Sequence, residues 1–137
     1  MKKKFLLIAT SLCGLTLATA PLIAHHSFAA QYDRNKQATL NGPVTRVDWI
    51  NPHARIFMDV KDATTGKVVN WEVELSAPAM LMRRGWTRSA VVIGQPVTVK
   101  GSLAKDGSNL INASNVTLSN GKTVFAGSSG DEGSPTP

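Results

Sequence analysis

Apolar and polar residues alternate through the middle of the chain. The alternation covers residues 55–60 and again residues 69–75, and the segment between them, 62–66, reads Asp-Ala-Thr-Thr-Gly. A period of two is typical of a half-buried strand, and a short run of turn-forming residues joins two such strands as a hairpin. The pattern therefore predicts two strands connected by a tight turn.

A long extended segment, residues 38–50, precedes this hairpin. Its apolar parity changes between Val44 and Val47, close to Gly42 and Pro43. A strand can keep one face buried across such a change only if it contains a bulge or a sharp bend, and glycine and proline often mark those places. We therefore expect a long first strand that bends near residue 44.

A short helix is predicted after the third strand. Ser76 is a candidate N-cap, Pro78 suits the first turn, and Gly85 suits the position just past the end. Arg83 and Arg84 would lie near the negative end of the helix dipole. We expect a helix of about two turns.

The last third of the chain returns to alternation. Residues 97–103 and 111–118 flank a Lys-Asp-Gly-Ser turn at 105–108, and an Asn-Gly turn leads into a final short strand at 123–125. The order is three strands, a helix, and two or three strands. This order predicts an all-β fold, a small OB-like barrel of five to six strands with its helix between strands 3 and 4. A small β-sandwich with a similar number of strands is the alternative.

The first 24 residues have a composition of their own. Three lysines at positions 2–4 precede an apolar stretch from Phe5 to Leu17, and the segments 18–20 and 22–24 that follow it each end in alanine. This layout predicts a secretory signal peptide over residues 1–24, cleaved after Ala24. An uncleaved anchor is the alternative, because the apolar stretch is nearly long enough to cross a bilayer. We expect a bacterial protein that is periplasmic or secreted.

Removal of residues 1–24 changes the charge and the cysteine content. That segment contains three lysines, no acidic residue and the one cysteine, Cys13, so the formal net charge falls from +6 to +3. A weakly basic, exported chain is a poor candidate for nucleic-acid binding. Without disulfides it must be stabilised by burial. We expect a domain at 25–126, a disordered polar tail at 127–137, and no membrane span after cleavage.

Three histidines are the unusual reactive groups of the chain. Cleavage after Ala24 would make His25 the first residue, with its α-amine and imidazole available to one metal ion, followed directly by His26. Such a chelate suits Cu(II), and imidazole also binds zinc. His53, in an Asn-Pro-His corner, would complete the site if the N-terminal arm folds back. The alternative is that the paired histidines are a flexible polar start and His53 is a turn residue.

A candidate pocket is the second feature of interest. Trp49 and Asn51 adjoin the same corner, and Arg84 and Trp86 flank the end of the predicted helix. These four residues would line a pocket at the barrel rim. Core packing of the tryptophans and a solvated arginine are the alternatives.

Set side by side, these segments resemble those of a family of small exported bacterial proteins, the domain of unknown function 6152. The resemblance covers about residues 24–124 and is carried by the following motifs: His25-His26-Ser27-Phe28, Gly42-x-Val44, Trp49-x-Asn51-Pro52-His53, Trp71-x-Val73-Glu74, Leu81-x-Arg83-x-Gly85-Trp86, Gly94-x-Pro96-Val97-Thr98-Val99 and Asp106-Gly107-Ser108. It implies export, a single small β-barrel and importance of the HHSF and NPH segments. It implies no reaction or substrate.

Three functions are consistent with the sequence. The first is an exported binding or accessory module, with an unidentified protein or small-molecule partner in the cell envelope, that takes copper or zinc through His25, His26 and His53. The second is a copper-dependent redox enzyme that uses the same N-terminal chelate. The third is a structural partner-binding barrel without metal. No nucleophile motif, phosphate-binding loop or paired-carboxylate signature supports an ordinary hydrolase, and we expect a binding module rather than an enzyme.

Overall fold

The computed structural model describes residues 28–127. Two short helices and six strands follow one another in this range: α1 (Phe28–Gln31), β1 (Tyr32–Asp48), β2 (Arg55–Lys61), β3 (Val68–Glu74), α2 (Pro78–Arg83), β4 (Pro96–Ala104), β5 (Leu110–Thr117) and β6 (Thr123–Phe125). The predicted β-rich class with one short helix between strands 3 and 4 is confirmed. The expected signal peptide, His25, His26 and almost all of the expected polar tail lie outside the described residues.

The strand pairings close into a ring. β1 pairs antiparallel with β2 and with β4, β2 pairs with β3, and β4 pairs with β5. A parallel pairing of β3 with the first residues of β5 completes the ring. β6 pairs antiparallel with the last residues of β5. Five strands in this order, with a helix between the third and the fourth, form the predicted OB-like arrangement.

The bend of β1 allows this strand to pair with β4 before the bend and with β2 after it. Its register with β2 shifts between Val44 and Arg46, where the sequence predicts a bulge. Gly42 lies just before the shift, and a Cβ at this position would overlap the backbone carbonyl of Asp59. The close approach of β1 and β2 therefore requires glycine there.

The core lies inside the ring. Its fully buried side chains include Ile56, Met58, Val73, Leu75 and Ile111, as the alternation predicts. Trp71 on β3 is half-buried and packs at the edge of this core. The β2–β3 hairpin extends beyond the ring towards its turn, and Val68 near that turn is 64% exposed. Residues of β3 therefore become more exposed towards the turn.

The start of α2 differs from the prediction. Ala77, not Ser76, is the N-cap residue, and no side chain caps the helix. Ser76 is instead buried in the backbone network, where its N–H donates to Ala126 (2.9 Å) and its carbonyl accepts from Ala54 (3.2 Å). Pro78 begins the helix as predicted, and Gly85 follows its end with φ of 89°, a value that favours glycine.

Gly101 offers a test of the closed ring. A Cβ at this position would overlap the backbone carbonyl of Asn112 on β5, at the point where the β4–β5 register shifts. We expect Gly101→Ala to lower the free energy of unfolding by about 1–3 kcal/mol or more, measured by urea denaturation. The neighbouring change Lys100→Ala, at an exposed position, should stay within about 0.5 kcal/mol of wild type. Equal stability of the two variants would contradict this close packing.

Candidate functional site

His53 lies in the corner between β1 and β2. This corner contains residues 49–54 and has a cis peptide bond between Asn51 and Pro52. The His53 side chain is half-buried. Of the three predicted metal ligands, His53 is the one within the described residues.

The His53 ring is held by the backbone of the segment that follows β3. Its Nδ1 lies 3.1 Å from the carbonyl oxygen of Leu75. Leu75 itself is fixed, because its N–H donates to the carbonyl of Ala54 at 2.9 Å. A carbonyl can only accept, so Nδ1 carries the hydrogen in this contact and the neutral ring has its lone pair on Nε2. Within residues 28–127, Nε2 has no hydrogen-bond partner.

The N-terminal arm, residues 28–32, docks on the outside of the barrel. The backbone N–H of Lys105 donates to the carbonyl of Gln31 (2.9 Å), and its Nζ donates to the carbonyl of Ala29 (2.5 Å). The rings of Phe28 and Tyr32 lie 5.4 Å apart. The arm is therefore attached to the barrel through backbone and side-chain contacts.

Tyr32 anchors this arm in a buried polar environment. It is 2% exposed, Glu74 of β3 is 8% exposed and Asn112 of β5 is 1% exposed. Asn112 Nδ2 donates to Glu74 Oε1 at 3.2 Å. Burial raises the pKa of the Tyr32 phenol well above its ordinary value, and the nearby Glu74 carboxylate raises it further. The Tyr32 hydroxyl nevertheless makes no hydrogen bond of ordinary distance and angle.

An ion pair lies beside this cluster. Arg55 Nη1 is 2.7 Å from Glu72 Oε1, and both groups are close enough to act on the pKa of Tyr32, in opposite directions. Three buried polar atoms here lack a hydrogen-bond partner, namely Tyr32 Oη, Arg55 Nε and Asn112 Oδ1. Buried polar groups are normally satisfied, so this concentration of unpaired atoms is unusual.

Sequence reasoning missed this cluster. Alternation along β3 places Glu72 and Glu74 on the outer face, where carboxylates are expected to be solvated. Glu74 is buried because it faces Asn112 across the β3–β5 pairing and the arm brings Tyr32 beside it. The signal available in the sequence was the single tyrosine, seven residues after His25.

The N-terminal arm and His53 contact two residues that are consecutive in the chain. Glu74 lies beside the Tyr32 phenol, and Leu75, the next residue, holds the His53 ring. Adjacent Cα atoms are about 3.8 Å apart. The anchor of the arm and the predicted ligand His53 therefore contact consecutive residues of the chain.

The four residues of the candidate pocket have different surroundings. Trp86 is buried and its Nε1 donates to the carbonyl of Phe125 at 2.8 Å, and Arg84 Nη1 donates to the carbonyl of Gly127 at 2.6 Å. Trp86 thus holds the last residue of β6, and Arg84 holds the chain two residues after it. Trp49 is half-buried with its ring 6.4 Å from that of Trp86, and Asn51 is exposed.

The described residues do not contain a complete metal site. In residues 28–127, no group of three or more His, Cys, Asp or Glu side chains is arranged to hold a metal ion. Neither helix of this part of the chain has the length and apolar character needed to span a bilayer.

The raised pKa of Tyr32 can be measured directly, because the chain has one tyrosine. The folded state favours the neutral phenol, so the unfolded chain ionises first as pH rises above the ordinary value of 10.0. We expect no tyrosinate absorbance from the folded protein at that pH, and a stability that falls as pH rises further. Denatured protein is the control and should titrate near 10. Titration near 10 with the tryptophan fluorescence of the folded state retained would contradict burial of Tyr32.

Comparison with known proteins gives a family but no activity. The model of a family of unknown function, DUF6152, matches residues 14–112 of the 137. The match includes the segments that carry His25, His26 and His53. No curated protein matches the chain. The chain belongs to the DUF6152 family of unknown function.

Proposed function

We propose that this protein is an exported β-barrel binding module of the bacterial cell envelope that holds one copper or zinc ion with His25, His26 and His53. The observation that carries the proposal is the state of the His53 ring. Its Nδ1 donates to the Leu75 carbonyl, and its Nε2 lone pair is left without a partner in the described residues.

A hydrogen bond of this kind is what a metal-binding histidine requires. Histidine ligands almost always donate their second ring N–H to a carboxylate or a backbone carbonyl, which fixes the tautomer and the orientation of the ring. The carbonyl used here is itself rigid, because Leu75 is bonded to Ala54 across the strand pair. His53 is thus prepared to bind a metal through Nε2.

The reach of the N-terminal arm supports a shared site. His26 precedes Phe28 by two residues, a span of at most about 7 Å. Phe28 packs against Tyr32, and Tyr32 is anchored beside Glu74, the residue before the one that holds His53. The paired histidines therefore directly precede a docked arm, and this arm and His53 contact consecutive residues of the chain.

The terminal amine determines which metal the site prefers. With cleavage after Ala24, the α-amine and imidazole of His25 supply two nitrogen ligands, and His26 and His53 supply imidazoles. A nitrogen-rich set with a terminal chelate favours Cu(II) over zinc, in agreement with the general order of divalent metal affinities. We expect no oxidase chemistry, because binding alone accounts for these groups.

A copper titration of the processed protein tests this site. We expect one Cu(II) per chain, and His53→Ala should lower the affinity by roughly tenfold or more, because it removes one nitrogen ligand. The matched control is the double variant His53→Ala/Ser119→His, which restores the number of histidines at an exposed position. It should bind as weakly as His53→Ala.

Two results would contradict the proposal. Equal affinities of wild type and His53→Ala would exclude His53 as a ligand. Intact-mass measurement showing a processed chain that begins elsewhere than at His25 would exclude the terminal chelate. Ascorbate oxidation by the copper-loaded protein above the rate of free copper would favour the redox enzyme instead.

A further inference from the structure

Large apolar side chains that are exposed to solvent concentrate around the segment between β3 and β4. Of the six in residues 28–127, three lie in this segment, namely Met82, Val92 and Ile93, which are 48%, 53% and 63% exposed. A concentration of exposed apolar side chains on a small domain commonly marks a site that meets a partner or a membrane. The segment is therefore a candidate docking surface.

Two further exposed apolar side chains are connected to this segment by ring contacts. The Arg84 guanidinium lies over the exposed ring of Phe125, 4.6 Å from its centroid. The exposed Ile50 follows Trp49, whose ring lies 6.4 Å from that of Trp86. Five of those six side chains are thus in or beside one segment, and we call them the apolar patch: Ile50, Met82, Val92, Ile93 and Phe125.

The charge around the apolar patch is predominantly positive. The chain contains no acidic residue from 75 to 105, whereas Arg83 and Arg88 are exposed within that stretch. The acidic residue that comes closest to the patch along the chain, Asp48, is paired with Arg46 at 3.1 Å. An apolar surface bordered by cations is complementary to a membrane that contains anionic lipids.

Backbone groups of this segment form hydrogen bonds within the domain. The N–H of Gly94 donates to the carbonyl of Val44 (2.7 Å), and the N–H of Val44 donates to the carbonyl of Gln95 (2.9 Å). The N–H of Trp86 donates to the carbonyl of Leu81 (3.0 Å). What the segment presents outward is therefore aliphatic surface and positive charge. A lipid surface needs no directional contact beyond these, which favours a lipid over a protein partner.

We infer that the apolar patch docks this domain on an anionic phospholipid surface. Its apolar side chains enter the boundary between headgroups and acyl chains, and Arg83 and Arg88 lie against the lipid phosphates. Arginine suits this border because its guanidinium pairs with phosphate while its stem lies along apolar surface. The contact is interfacial, with no segment crossing the bilayer, and it does not depend on the proposed metal site.

Co-sedimentation of the processed protein with lipid vesicles tests this inference. One set of vesicles contains phosphatidylglycerol mixed with phosphatidylcholine, and the other contains phosphatidylcholine alone. We expect binding to the anionic vesicles, and binding to the neutral vesicles that is weaker by roughly tenfold or more. Binding to the anionic vesicles should weaken as the salt concentration rises, because salt screens the arginine charges.

Two variants separate the apolar contribution from the charge. Ile93→Ser should weaken binding to the anionic vesicles by roughly fivefold or more, because it removes an inserted side chain. The double variant Arg83→Gln/Arg88→Gln should weaken it by roughly tenfold or more, because it removes two cations from the membrane surface. The three side chains are exposed, so we expect these variants to fold as wild type does.

The turn of the β2–β3 hairpin supplies matched controls. Val68 is 64% exposed, nearly the same as Ile93, and Lys61 and Lys67 are exposed cations on this hairpin. We expect Val68→Ser and Lys61→Gln/Lys67→Gln to bind the anionic vesicles as wild type does. All variants share the same N-terminal residues, so differences between them report on the substituted positions.

Three results would overturn the inference. The first is a protein that does not bind the anionic vesicles. The second is an equal effect of Ile93→Ser and Val68→Ser, which would show that the apolar patch does not enter the lipid. The third is self-association in sedimentation velocity that Ile93→Ser abolishes, without vesicle binding, which would assign the patch to contact between two copies of this chain.

Discussion

The parallel pairing of β3 with β5 is the interaction on which the rest of this structure depends. It brings Glu72, Val73 and Glu74 against Leu110, Ile111 and Asn112. On the inner side it closes the ring around Val73 and Ile111, which are fully buried. On the outer side it joins Glu74 to Asn112 and creates the seam on which the N-terminal arm lies. One pairing therefore produces both the core and the polar cluster.

The seam also explains why the candidate site lies where it does. β3 ends at Glu74, and the chain continues through Leu75, whose N–H and carbonyl face the corner between β1 and β2. A strand end adjacent to a corner leaves a backbone carbonyl available to a side chain, and the ring of His53 uses it. The position of the imidazole thus follows from where the barrel closes. A backbone carbonyl directly after β3 therefore holds the candidate ligand.

Local patterns predicted what depends on local chemistry. The change of parity between Val44 and Val47 predicted the bulge of β1, and Pro78 and Gly85 predicted both ends of α2, because each signal acts within a few residues. Ser76 was assigned wrongly as the N-cap for a non-local reason: its backbone groups are used by Ala54 and Ala126, which are distant in the sequence. The residue pattern of a helix cap contains no information about hydrogen-bond partners that are distant in the sequence.

The polar cluster escaped prediction for the same reason. Glu74 occupies an outer position of an alternating strand, and it is buried only through Asn112, 38 residues later, and Tyr32, which lies far before it in the chain. The histidines could be named from their chemistry, but the tautomer of His53 depends on a carbonyl twenty-two residues further along the chain. Residue types therefore suggested the chemistry of the site, and the tertiary structure supplied its orientation.

In the proposed site, the N-terminal histidines and the His53 corner hold one metal ion. Paramagnetic broadening tests it most directly, because Cu(II) bound to the processed protein broadens the amide resonances of all residues close to it, with zinc-loaded protein as the diamagnetic reference. We expect broadening in residues 26–30 together with Ala54, Leu75 and Ser76. Broadening confined to the first residues, with the His53 corner unaffected, would contradict it.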